Sequence, residues 1–440
     1  MKRIKTYFYS IFAITLCLSI GMNGYGQGKK LEKTYRWNYT VNKDVSFAFE
    51  NYDCNLTIHT WDKPEIAYAM SVDATLKSEE DTERLDNYIE QLEFSHSVGS
   101  VQFDNRFWTS KKAVMGRKTM TLKGEKTIRF SEFKMKGEMW IPKNCILSLS
   151  SKYSEIEVGD LYGRISLDLY NDKLYGGSVN SNIKIAAKYS SLEFTDMKDI
   201  KVDLYNTTFE ADDIGNLGAV SKYSKVKVGD AGIVNIDAYN DKYTLGIAGD
   251  IKFIDKYSDL TAKQTGHTEL DCYNSTVIID KLEDVDLKSK YGNYEFKEAR
   301  NLNITTAYSD KYTVESLGTL NITNTKYCVY KITYLDNSVL LKEGYSDKLF
   351  VTKTGMLKEV KVNGKYVVLE MALDKDYAYR FNANVKYPKF EIDEESMNVR
   401  KKIKEGSELE MEAIKGVESE GMPSFFVNGY DMAISLTEQH

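Results

Sequence analysis

The chain has 440 residues, with 59 Lys+Arg against 65 Asp+Glu and a formal net charge of −6. That mildly acidic balance excludes a general nucleic-acid binder, whose footprint is a basic face. With 32 tyrosines but only four histidines and four prolines, the composition also argues against a His-rich metal site and points to a tyrosine-bearing repeat.

Lys2, Arg3 and Lys5 precede an apolar run from about Phe8 to Ile20, and the small residues Gly24 and Gly26 precede Gln27. This is the pattern of a secretory signal peptide cleaved near Gly26/Gln27. The run is shorter than the ~20 residues of a bilayer span and no second one follows, so no transmembrane span is expected in the mature chain. Leu16 before Cys17 is not the small residue of a lipoprotein signal. The expected address is export, to the periplasm or the outer-membrane or cell surface. Cys54, Cys145, Cys272 and Cys328 lie far apart without Cys-x-x-Cys spacing, and free thiols are expected rather than a disulfide framework.

Residues 27–150 read as an N-terminal β cap. Val45 to Phe49, Leu56 to Thr60 and Ile66 to Val72 alternate apolar and polar residues, as half-buried strands do. Leu85, Tyr88, Ile89 and Leu92 recur at helical spacing behind an acidic first turn, which predicts one amphipathic helix near 79–92. Residues 95 to 136 hold ten Lys/Arg (Arg106, Lys111 and Arg117 among them) against Asp104, Glu125 and Glu132, with Phe107 and Trp108 inside. That segment reads as a solvated hairpin or as a patch for an anionic envelope polymer.

Residues 151–370 carry the repeat. One turn type reads Lys-Tyr-Ser or a variant, with Tyr153, Tyr189, Tyr223, Tyr257 and Tyr291 spaced 36, 34, 34 and 34 residues apart. The other places an apolar residue before Tyr-Asn or Tyr-Ser, at Tyr170, Tyr205, Tyr239, Tyr273 and Tyr308, in steps of 35, 34, 34 and 35. A fixed period outweighs any single motif. Around each turn short strands alternate, as in Ile183, Ile185 and Ala187 before Tyr189 and Leu192 and Phe194 after it. No proline occurs between Pro142 and Pro388, as a stack that needs every backbone N–H demands. The expected fold is all-β: a β-solenoid, flattened into two sheets, of ~17-residue coils. Right-handedness is favoured only by the usual chirality of strand crossovers. Residues 371–440, with an acidic stretch and a last strand pair from Ser424 to Leu436, read as C-terminal capping coils, since a bare terminal strand recruits other chains.

With these landmarks placed, the chain resembles a family of exported bacterial β-strand-repeat proteins of unknown function, usually labelled adhesins. The matching pieces are Asn55 to Trp61 with Pro64-Glu65-Ile66, the helix before Leu92, Trp140-Ile141-Pro142, Glu395-Ser396-Met397 and Val427 to Leu436. The resemblance implies a non-catalytic, surface-directed role and brings no catalytic residues with it. The regular tyrosine turns depart from the Gly-centred turns more usual in that family.

Two readings of the tyrosines stand side by side. Stacked in register, Tyr153, Tyr170, Tyr189, Tyr205, Tyr223, Tyr239, Tyr257, Tyr273, Tyr291 and Tyr308 would line one edge across which sugar rings lie, making polysaccharide or another envelope protein the partner. More simply, the rings pack on one another and stiffen the turn column while Asn and Ser hydrogen-bond local backbone. Asn171-Asp172-Lys173, Asn240-Asp241-Lys242, Ser309-Asp310-Lys311 and Ser346-Asp347-Lys348 set carboxylates beside the ladder, but each has an adjacent lysine and the glycine-rich calcium nonapeptide is absent, so no metal and no cofactor is expected. The different-class alternative is a carbohydrate-active β-helix lyase or hydrolase. Such a site needs paired carboxylates on loops that break the repeat, and the spacing leaves none. His59, His96, His267 and His440 lack ligand spacing, and His267 reads as a surface turn residue.

Overall fold

The computed structural model describes residues 28–97, 99–124 and 126–438. The expected signal peptide up to Gly26/Gln27, and His440, lie outside the described residues.

The solenoid is seen most simply in one coil. Ile183–Lys188 is a strand whose Ile183, Ile185 and Ala187 face inward. A turn at Tyr189 and Ser190 reverses the chain into Ser191–Phe194, which buries Leu192 and Phe194. The first strand pairs in parallel with Ile165–Tyr170 on one side and Ile200–Tyr205 on the other. The second pairs with Lys173–Gly176 and Thr208–Ala211. Because the side-chain period is two, register keeps every apolar residue of a row facing one continuous core. The two expected sheets are therefore present. A third, thinner row of single parallel bridges (Leu161, Val179, Met197, Ile214, Ala231, Ala248) closes the coil on the side away from the tyrosines.

From Asp259 onward the looser turn disappears. Asp259–Tyr273, Thr276–Lys290, Asn293–Tyr308, Lys311–Lys326 and Val329–Tyr345 each run as one strand through the corner. His267, expected in a turn, instead lies in a strand and pairs in register with Asp284. At that corner the buried hydroxyls of Thr265 and Thr268 hydrogen-bond each other at 2.9 Å, so no turn is required to solvate them. One strand further on the register slips: Leu287 faces Ile304 but Lys288 faces Thr306, leaving Thr305 as a bulge residue. The following pairs, Ile304 with Ile322 and Thr306 with Asn324, carry the extra residue onward. A bulge of this kind bends the sheet locally.

Both ends are built out of chain order. Ser46–Tyr52 and Asn55–Trp61 already form a coil in register with Ile146–Lys152 and Glu155–Val158. Before and between these coils the chain makes the cap: Lys29–Thr40, Glu65–Leu76 and Thr127–Pro142 form an antiparallel sheet carrying the helix Glu79–Glu90. The Ser78 hydroxyl caps that helix by accepting from Asp81 N at 3.1 Å. At the far end, Ser424–Tyr430 inserts between Glu359–Lys365 and Tyr379–Lys386, pairing in parallel with both. Met397–Glu405 and Glu408–Lys415 then cover the outermost strand in antiparallel fashion. This blunts the edge that a parallel stack would otherwise present.

Candidate functional site

The two turn types sit one residue out of phase, and that offset builds the site. Lys152 lies in register with Tyr170, and Tyr170 with Lys188, so Tyr153 falls level with Asn171. In the Lys-Tyr coils the tyrosine itself takes the left-handed turn conformation, as at Tyr189 (φ 56°) and Tyr223 (φ 56°). In the alternate coils the residue after the tyrosine takes it, as at Asn206 (φ 49°) and Asn240 (φ 56°). Asparagine tolerates that region; tyrosine pays roughly 1–2 kcal/mol for its Cβ.

Ring packing offsets this cost. Stacked at identical positions ~4.8 Å apart, the rings would meet face to face. The one-residue offset instead sets neighbours edge to face, with centroids 5.4–5.8 Å apart and planes crossing at 75–84° from Tyr153 to Tyr345. Such pairs add about 0.5–1.5 kcal/mol each. The interior offers the contrast. Tyr294, Tyr312 and Tyr330 occupy equivalent positions in successive coils and do stack flat, at 5.0 and 4.8 Å.

All ten tyrosines singled out in the sequence are brought together in this ladder, which continues past them at both ends. Tyr52 joins below Tyr153, while Tyr327, Tyr345, Tyr366, Tyr430 and Tyr387 extend it upward. Lys365-Tyr366 and Lys386-Tyr387 carried the same Lys-Tyr signal; Tyr430 arrives through the inserted C-terminal coil, which no local motif announces. The rings in left-handed turns are the more exposed, 42–48%, whereas Tyr170, Tyr205 and Tyr273 at strand ends are 36% exposed.

The carboxylates expected beside the ladder are not on its surface. Asp172, Asp241, Asp310 and Asp347 are buried directly beneath the turns. Asp241 accepts from Ser224 N (2.5 Å), Tyr239 N (2.9 Å) and the Ser221 hydroxyl (2.8 Å). Asp172 does the same for Ser154 N, Tyr170 N and Ser151. In the coils between, Ser190, Ser224 and Ser258 accept the turn N–H groups of Asp172, Thr207 and Asp241. Buried backbone donors must be satisfied, and this column does it coil by coil. Burial pushes the carboxyls of Asp172 and Asp310 up to about 6, and raises those of Asp241 and Asp347, against the donors that pull the other way. Asp255 was missed in the sequence because it stands one residue before Lys256-Tyr257 rather than after the turn. It takes Ser258 N and the Ser275 hydroxyl and is likewise raised to about 6 by burial.

Outward of the rings, the lysine of each Lys-Tyr turn alternates in register with the strand-end tyrosine of the next coil: Lys188, Tyr205, Lys222, Tyr239, Lys256, Tyr273, Lys290. These four lysines are exposed, and none makes an ion pair among the described residues. Beyond the turn, Lys173, Lys225, Lys242, Lys311 and Lys348 open the second strand, with Glu155 and Asp259 as the acids of that row. On the first sheet, Asp168, Asp203, Asp237 and Asp271 stand two residues inward of the tyrosines. Beside the Thr305 bulge, the sheet surface forms a groove of about 640 Å³ whose lining sets Lys222, Lys256, Lys288 and Lys290 among Asp237, Asp255 and Asp271, with Tyr239 and Tyr273.

The other sequence candidates resolve differently. Phe107 and Trp108 are buried in the cap core, and Trp108 meets Tyr52 edge to face, capping the ladder. Arg106 lies 4.6 Å over the Tyr52 ring, and Lys111 pairs with Asp53. His59 stacks on Trp140 at 5.3 Å, bringing two of the resemblance motifs into contact. The four described cysteines are free and buried, and burial pushes the Cys54, Cys145 and Cys328 thiols up to about 12. Among the described residues no three His, Cys, Asp or Glu side chains are placed to hold a metal ion, and no helix is long and apolar enough to cross a membrane.

No protein-family model matches the chain, and no curated protein does. A solved structure from Clostridium sporogenes, described as a "putative cell adhesion protein", matches 93% of this chain and 100% of its own at 9% identity and a TM-score of 0.18. A likeness that slight leaves fold and role to be argued from the residues, and the resemblance to the adhesin-labelled family rests on its short motifs.

Proposed function

We propose that this is an exported, non-catalytic β-solenoid that serves as a structural or adhesive element and engages polysaccharide along its tyrosine edge. The observation that carries this reading is the unbroken run of half-exposed rings from Tyr52 to Tyr387, along a rod whose coils leave no loop between them at that edge. Aromatic faces held at fixed spacing are suited to sugar rings, and a rigid ladder loses little entropy on binding. The buried acids beneath the edge support the same reading, since they are occupied by turn donors rather than free for general acid–base work.

The test is a glycan array and a pull-down on insoluble polysaccharides with the chain from Gln27 onward. Replacing Tyr189, Tyr223 and Tyr257 together by Ala should abolish retention while far-UV circular dichroism keeps its β signature. Retention unchanged by that triple substitution sinks the edge as the site. Glycan turnover that disappears on replacing one Asp or Glu would overturn the non-catalytic reading in favour of a β-helix lyase or hydrolase.

A further inference from the structure

The chemistry of the edge repeats every second coil, not every coil. Lys188, Lys222, Lys256 and Lys290 recur on alternate strands, each followed by one of the more exposed, left-handed tyrosines. Two strand spacings make a step of about 9.6 Å. That is the length of an extended disaccharide, not of a single sugar. Each step therefore offers one upstanding ring and one unpaired ammonium group.

Charge selects further. The row occupied by those lysines holds no acid from Tyr52 to Lys386, because its other members are the strand-end tyrosines. The row beyond the turn adds Lys173, Lys225, Lys242, Lys311 and Lys348 against Glu155 and Asp259. The chain as a whole is net −6, so this is a local reversal of sign. The charged groups facing the lysines from the sheet are Asp168, Asp203, Asp237 and Asp271, with Lys288 following Asp271 in register, and among the described residues no lysine of the edge row lies within ion-pair distance of these acids. A polyanion on the edge is attracted by both flanks and repelled from the sheet face by that acidic row, which aligns it with the rod.

We infer that the tyrosine edge takes a linear acidic polysaccharide bearing one carboxylate per disaccharide, its sugars on the exposed rings and its carboxylates on the alternate-coil lysines. The inference rests on the polysaccharide reading above.

Affinity electrophoresis with three soluble probes separates the two claims: hyaluronate, with one carboxylate per disaccharide; polygalacturonate, with one per sugar; and laminarin, which is neutral. Hyaluronate should retard the protein most at equal carboxylate concentration, and about 0.5 M sodium chloride should abolish the effect, since exposed charges are screened within a few ångströms there. Replacing Lys188, Lys222, Lys256 and Lys290 by Gln should weaken hyaluronate binding at least about fivefold, while K184Q/K201Q on the sheet face changes it less than about twofold. The four lysines are exposed and unpaired, so the variant should melt with the parent. Laminarin binding as strong as hyaluronate, polygalacturonate binding tighter per charge, or indifference to the four Gln substitutions would each overturn the inference and leave the polysaccharide reading standing. No retardation by any probe, with an empty glycan array, removes both.

Discussion

The two edges of the solenoid solve the same problem in different ways. At the looser edge the chain turns on glycine and on exposed aspartates: Asp160 takes Ser178 N, Asp213 takes Asp230 N, and Asp230 takes Ile247 N. Gly229 is required there because a Cβ would meet Asp212 O at 2.4 Å. That edge changes freely along the rod, from turns with a third bridge row to unbroken strands past Asp259. The tyrosine edge keeps the same two alternating turns from one end to the other. Its turn residue is left-handed in every coil, its acceptors are buried, and its rings are coupled to both neighbours. Regularity follows from burial and coupling: an edge that is solvated can absorb a change of length, and one whose donors are answered from the next coil cannot.

The largest expected consequence is an inverted response to acid. Asp172, Asp255 and Asp310 have carboxyls raised to about 6, above the ordinary unfolded value, so the unfolded chain releases its protons first as pH rises. Stability from these groups is fully present below about pH 4 and is lost as pH climbs through 6. A shift of about two units corresponds to at most about 3 kcal/mol per group. Thermal melts should therefore give a higher Tm at pH 5 than at pH 7, with the surface ion pairs reversing the trend only below about pH 4. A Tm that falls steadily from pH 7 to pH 5 would show that the donors to these carboxylates outweigh their burial.

Substitution at one acid on each edge sharpens the contrast. Asp241→Leu removes the acceptor of Ser224 N and Tyr239 N, while the Ser221 hydroxyl keeps that of Tyr243 as its partner, and should cost about 2 kcal/mol or more. Asp230→Ala removes one exposed acceptor from Ile247 N, which water replaces, and should cost less than about 1 kcal/mol. Urea denaturation of the two variants measures the difference. Equal costs would mean that the buried column is no more demanding than the open edge.

How much of this was legible beforehand divides along the same line. The helix after Ser78 is read from helical spacing, and the strand rows and the tyrosine register from apolar alternation and the fixed period, because a parallel stack maps sequence period onto spatial position. The fate of the aspartates was not. Asp172 and Asp241 look like surface turn residues when each motif is taken alone, since Asn-Asp-Lys is a polar turn by composition. Their burial depends on the preceding coil, whose turn N–H groups need an acceptor. Asp255 and Tyr430 were hidden for related reasons: one answers the same donors from a different position, and the other reaches the ladder by a non-sequential insertion. The lysines were visible in every Lys-Tyr motif, but their alternation with tyrosine appears only once strands are paired.

The smallest expected effect is the most specific to the ladder. Tyr223 holds φ at 56° while packing edge to face on Tyr205 and Tyr239, at 5.8 and 5.7 Å. Tyr223→Ala keeps the left-handed cost and loses both ring contacts, so it should destabilise by about 1–2 kcal/mol. Tyr223→Gly loses the same contacts but relieves the Cβ clash, at some cost in unfolded-chain entropy. The glycine variant should therefore be more stable than the alanine variant by up to about 1 kcal/mol, reversing the usual order of the two residues. Tyr175 supplies the control, being similarly exposed on a strand with no ring partner among the described residues, and Tyr175→Ala should change stability by less than about 0.5 kcal/mol. If alanine equals or exceeds glycine at position 223, the turn is not strained by its tyrosine, and the ring pairs need offset nothing. If glycine wins, the rings hold the backbone where it would not rest alone, and the ladder that presents aromatic faces to solvent is the same contact that keeps the coils in register.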